Sequence, residues 1–225
     1  ATWAGRGLAL VPGPGALPAL HFCAGVALMH TGDLLRARRE LEHFLAAPLP
    51  PLAGDANYAL GSLLLLLRQP AEAIPRLQDA AALLDGQGRR RQALACRLEA
   101  AWVLLTEEEP HEAMTCLEQT DLTEDDDELQ TLAALCHALH HLLTGARKEA
   151  DHICRELAAR EGLHSRQLAD LHWILARAAL QEGAVPDALR HAHRASRAAA
   201  EHWWPPQMDR VHALRTRLLT TGSAV

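Results

Sequence analysis

The chain has 225 residues, 49% of them hydrophobic, and a formal net charge of −6 with histidine neutral. Its 43 Ala and 42 Leu stand against nine Val plus Ile and three Tyr plus Phe, so a substantial sheet is excluded. The chain is too apolar for general disorder, and its negative balance excludes a global electrostatic footprint for nucleic acid.

Taken in order, the residues predict helices over 16–30 and 33–47, 53–67 and 70–84, 89–106 and 110–120, 126–143 and 146–161, and 165–181 and 185–202. A last helix is predicted over 206–220, and residues 1–12 read as the end of a preceding unit. The hairpins then cover 16–47, 53–84, 89–120, 126–161 and 165–202, within one repeat domain spanning 1–225. Pro50-Pro51, Asp85 to Gly88, and the acidic run Glu124 to Glu128 read as punctuation between them.

One register repeats throughout. Each short linking motif closes on an alanine: Ala37, Ala73, Ala113, Ala150 and Ala188. These are 36, 40, 37 and 38 residues apart, and twelve residues before each sits Gly25, Gly61, Ala101, Ala138 or Ala176. Small residues at two fixed points let paired helices approach closely. The linking turns carry Gly, or Pro near the first helical position at Pro70, Pro110 and Pro186. No such hairpin buries its apolar face alone, so the units must stack.

Leu60-Gly61, Ala73, Leu77 and Ala80, with Gly25, Gly32 and Ala37 in the first unit, resemble the tetratricopeptide repeat. The period is longer than that family's usual 34 residues, and most of the bulky aromatic consensus positions are missing. The longer Ala/Leu/Arg-rich units are similar to the repeat domains of bacterial regulators of the maltose-regulator (MalT) type. The resemblance implies an all-α, right-handed superhelix of stacked antiparallel hairpins and a non-catalytic, protein-binding or effector-sensing role in a bacterial regulator. A free-standing adaptor is the alternative, and a metal-dependent enzyme a more distant one. The tail-like Gly7 to Pro12 and the unpartnered final helix predict a segment of a longer chain.

By the same resemblance, the first helices line a concave groove. Its inward positions would be Phe22, Val26 and Met29; Tyr58, Ser62 and Leu65; Leu98 and Trp102; Leu135 and Leu139; and Trp173 and Arg177. Phe22, Tyr58 and Trp173 share one repeat position, and Trp102 lies one turn further along its helix. Aromatic anchors beside Arg177 suit a peptide, a partner domain or a small effector; equally, the same side chains pack on one another. Tyr58 and Ser62 are not the Lys and Asn of the chaperone-tail carboxylate clamp.

No phosphate loop, nucleophile elbow or zinc helix occurs, and neither a cofactor nor a catalytic residue is expected. His137 and His141, four apart with His140 beside them, are the one pattern suggestive of metal, and read as interhelical packing residues instead. Asp125, Asp126 and Asp127 read as caps of the following helix. Arg89 to Arg91 and Arg190, Arg194 and Arg197 read as solvated basic stripes, with Glu99 and Glu201 nearby in sequence as partners. Trp203-Trp204 is expected to seal the last hairpin against the final helix. Five cysteines, one per segment and without a C-x-x-C, fit buried thiols in a reducing cytoplasm; neither a membrane nor direct nucleic-acid contact is expected.

Overall fold

The computed structural model describes residues 18–120, 126–202 and 204–222, with the side chains of 202, 221 and 222 not described. Among these residues lie eleven helices: α1 (Pro18–His30), α2 (Leu34–Ala46), α3 (Pro50–Leu66), α4 (Pro70–Gly86), α5 (Arg90–Thr106), α6 (Pro110–Glu118), α7 (Asp127–Leu143), α8 (Arg147–Ala159), α9 (Ser165–Gln181), α10 (Val185–His202) and α11 (Pro205–Gly222). The expected all-α class and hairpin architecture are what the structure has. No described helix is long and apolar enough to cross a membrane.

Boundaries fall within a few residues of expectation, with one instructive shift. Pro50-Pro51 opens α3 instead of standing outside it. The first backbone N–H groups of a helix have no intrahelical partner, so proline loses nothing there and its fixed φ suits the first turn.

The linking turns explain why each hairpin reverses. Leu28, Leu64 and Ala179 each accept a backbone hydrogen bond from the residue five positions on (Asp33, Gln69 and Ala184, at 2.9–3.1 Å). This closure needs a left-handed residue just past the helix. Gly32, Gly145 and Gly183 fill that position, but Arg68 (φ 61°) and Glu108 (φ 65°) hold the same conformation with a side chain. Side chains cap some of the helix starts, Asp126 among them as expected. Asp33 accepts from Arg36 N–H and Asp126 from Leu129 N–H. His164 and Gln167 cap each other reciprocally. Of the other two aspartates read as caps, Asp127 is the first residue of α7, and Asp125 lies outside the described residues.

The chain divides into two compact units, residues 1–107 with 119–121, and residues 108–118 with 122–225. In the first, α1 packs on α2, α3 on α4, and α2 and α4 pass the stack on to α3 and α5. Its core joins Leu28, Ala37, Leu41, Leu60, Leu63, Leu64 and Ala73, and a second cluster joins Ala80, Ala81, Leu84, Ala93 and Cys96. In the second, α7 packs on α8, α9 on α10, and α10 on α11, while α9 also touches α7, α8 and α11. The helices of the third predicted hairpin, α5 and α6, belong to different units.

The repeated small residues do what their register implies. All ten are buried. A Cβ added at Gly25 would lie 2.7 Å from Leu41 Cγ and 3.3 Å from the Ala37 carbonyl oxygen; at Gly61 it would lie 3.0 Å from Leu77 and 3.4 Å from the Ala73 oxygen. The helices touch backbone to side chain at these points, and that spacing sets how closely each pair packs.

Candidate functional site

The residues expected along the groove fall into three environments. Trp102, Leu139 and Trp173 are 4%, 0% and 5% exposed, and Leu98 and Leu135 are buried as well. Phe22, Val26, Met29, Ser62 and Leu65 are half-buried, with the Phe22 ring 5.7 Å from Phe44 of α2. Tyr58 is the most open of the twelve, at 37%, and its hydroxyl lies 3.4 Å from Glu99 on α5. Within unit 1 these side chains largely pack on their own neighbours.

In unit 2 the arrangement is different. Trp173 sits in mid-α9 with Arg177 one turn later, so both lie on one stripe of the helix. The Arg177 guanidinium stands 4.9 Å from the indole centroid, and Arg210 of α11 approaches the same ring at 5.7 Å. Both distances fall in the range where a cation is held by the ring's negative face. Each arginine has an acidic partner. Arg210 donates to Asp170 at 3.1 Å, and the Asp170 side chain is only 5% exposed. Arg177, 17% exposed, donates to Glu108 at 2.8 Å. Two planar cations thus meet on one indole, each oriented by a carboxylate.

A second constellation recurs at one repeat position. Nineteen residues separate His21 from Glu40, Asn57 from Arg76, and His172 from His191, and each pair meets across its hairpin at 2.7, 3.4 and 3.2 Å respectively. The His172 and His191 contact joins their Nδ1 atoms, so one ring donates and the other accepts. Burial, then His191 and Arg194, pull the His172 pKa down to about 4, and burial with Arg194 and Arg190 lowers that of His191. The pair is therefore neutral near pH 7.

The other expected sites are ordinary in their surroundings. His137 and His140 are half-buried, and burial with His141 lowers both their pKa values. Among the described residues no three His, Cys, Asp or Glu side chains are grouped to hold a metal. Arg89 is not part of a solvated stripe: it precedes α5 and grips both Asp55 carboxylate oxygens at 2.6 and 2.7 Å. The Tyr58 hydroxyl lies 3.4 Å from Glu99, and Glu201 accepts from the Ser165 hydroxyl. Arg190 pairs with Asp187. Trp204 is half-buried and its carbonyl accepts from Gln207 and Met208 at the start of α11; Trp203 lies outside the described residues. Sequence reasoning missed the Glu108 contact and the hairpin polar pairs. The second was signalled by polar residues recurring four before the first small residue and three after the second.

No family model matches the chain, and no curated protein matches it. A solved structure, a tetratricopeptide repeat protein from Parabacteroides merdae, is similar over 90% of this chain and 98% of that one, at 14% identity and a TM-score of 0.34. The hairpin architecture rests on the helices and turns described above.

Proposed function

We propose that this chain is a non-catalytic recognition module of a bacterial regulatory protein, binding a peptide or partner segment on its stacked hairpins. The observation that carries the reading is the α9 seat: Trp173 held under Arg177 and Arg210, with Arg177 still reachable from solvent. Aromatic and arginine side chains fixed together are the usual anchors of protein recognition. The 36 to 40 residue period and the Ala/Leu/Arg texture support placing the module beside the tetratricopeptide-like domains of the maltose-regulator type.

The test is selection from a displayed random peptide library on the whole chain, followed by measurement of recovered peptides against variants. Trp173→Ala is unsuitable, because emptying so buried a site costs about 3–5 kcal/mol of stability. Trp173→Phe and Arg177→Gln keep the fold and change the seat. Peptides that bind the native chain should lose at least tenfold in affinity on Arg177→Gln, by the measure of a desolvated charged contact. Recovered peptides that bind both variants as well as the native chain would move recognition away from α9.

A further inference from the structure

Resting on the reading of α9 as a recognition surface, we infer that the partner presents a carboxylate to Arg177, and that Glu108 is a built-in competitor for that seat. The seat is rigid. Arg177 is stacked on Trp173 and largely enclosed, and the neighbouring Arg210 is anchored by the buried Asp170. The occupant is loose: the Glu108 side chain is 68% exposed and reaches Arg177 across 69 residues of sequence.

The occupant also shows what the seat accepts. A guanidinium offers parallel donors that match a carboxylate, and Glu108 already takes one of them at 2.8 Å. Glu108 does so from a turn position with φ 65°, where three of the five equivalent turns use glycine. A side chain in that conformation strains the backbone. An ion pair with one member so open to water contributes little net attraction. A partner carboxylate that brings further contacts of its own therefore exchanges with Glu108 on the Arg177 guanidinium.

Affinity for a fluorescent, acetylated tetra-glutamate peptide, against its tetra-glutamine counterpart, tests this by anisotropy on the whole chain. The native chain should bind the first and not the second. Glu108→Gln should tighten binding about threefold, the factor an ordinary surface ion pair supplies. Arg177→Gln should abolish it, and Arg177→Lys should restore part of it. Glu109→Gln removes the same charge one residue away and should leave affinity unchanged; equal tightening by both variants would show a general charge effect and overturn the competitor. If Glu108→Gln leaves affinity unchanged while Arg177→Gln abolishes it, the competitor falls and the α9 surface stands. If tetra-glutamate binds none of the folded variants, the carboxylate partner falls, while the library selection judges the surface independently.

Discussion

Adding one methyl group at each of three glycines of unit 1 tests whether helix approach is set where the structure places it. At Gly25 the new Cβ meets Leu41 Cγ at 2.7 Å and Cδ2 at 2.9 Å. Carbon atoms pack best at about 3.5–4.0 Å, so something must move by roughly 1 Å. Leu41 is fully buried, and its displacement is passed to the rest of that core. Overpacking of this kind costs about 1–3 kcal/mol, and replacing glycine by alanine inside a helix returns about 1 kcal/mol. Gly25→Ala should therefore destabilise by about 1 kcal/mol. At Gly61 the nearest atoms stand at 3.0 Å, so the two effects should nearly cancel. Gly86 ends α4 with no neighbour within 4 Å, and Gly86→Ala should stabilise by about 0.5 kcal/mol. Urea unfolding followed by helical circular dichroism gives all three values, provided the m-value is unchanged. A gain for Gly25→Ala equal to that for Gly86→Ala would refute close approach at the first hairpin.

Acid should weaken the α9–α10 hairpin. The folded pKa of His172 is about 4, below the ordinary 6.5, so the unfolded chain binds more protons between these values and stability falls as pH drops through that window. The full interval corresponds to about 3 kcal/mol, and partial solvation of the ring reduces the expected loss to about 1–2 kcal/mol. His172→Gln should flatten the stability profile between pH 6.5 and about 4; an unaltered profile would remove this pair as the cause. Among the five thiols, Cys23 is exposed while Cys96, Cys116, Cys136 and Cys154 are buried, and burial lifts Cys96 and Cys154 to about 12. A disulfide reagent should find one fast thiol in the native chain, lost on Cys23→Ser; a second fast thiol would contradict the packing.

The hairpins were legible because small residues at fixed spacing leave a signature that needs no knowledge of neighbours. Gly25 with Ala37, and Gly61 with Ala73, specify both partners of a contact within about a dozen residues of sequence. The turns were legible for the same reason, through Gly32 and Pro70. The candidate site was only half legible. Trp173 and Arg177 lie one turn apart and could be read together, but Arg210 and Glu108 come from other helices and a turn. Arg89 misled because its partner, Asp55, is 34 residues away. A charge run shows where arginines are, while the carboxylates they meet depend on how successive units stack.

The polar pairs across the hairpins bear on how such a chain finds its own order. Interfaces built from alanine and leucine in a shared register are nearly interchangeable, so a helix has several plausible mates during folding, and tandem repeats are prone to pairing with the wrong one. His21 facing Glu40, Asn57 facing Arg76, and His172 facing His191 give three hairpins distinct chemical labels at one equivalent position. A swap that set Arg76 opposite His172, or Glu40 opposite Asn57, would trade a matched contact for a poorer one. Discrimination of this kind raises the energy of mistakes without strengthening the correct fold. Repetition makes the architecture simple to encode, and these few unlike residues keep its copies from being mistaken for one another.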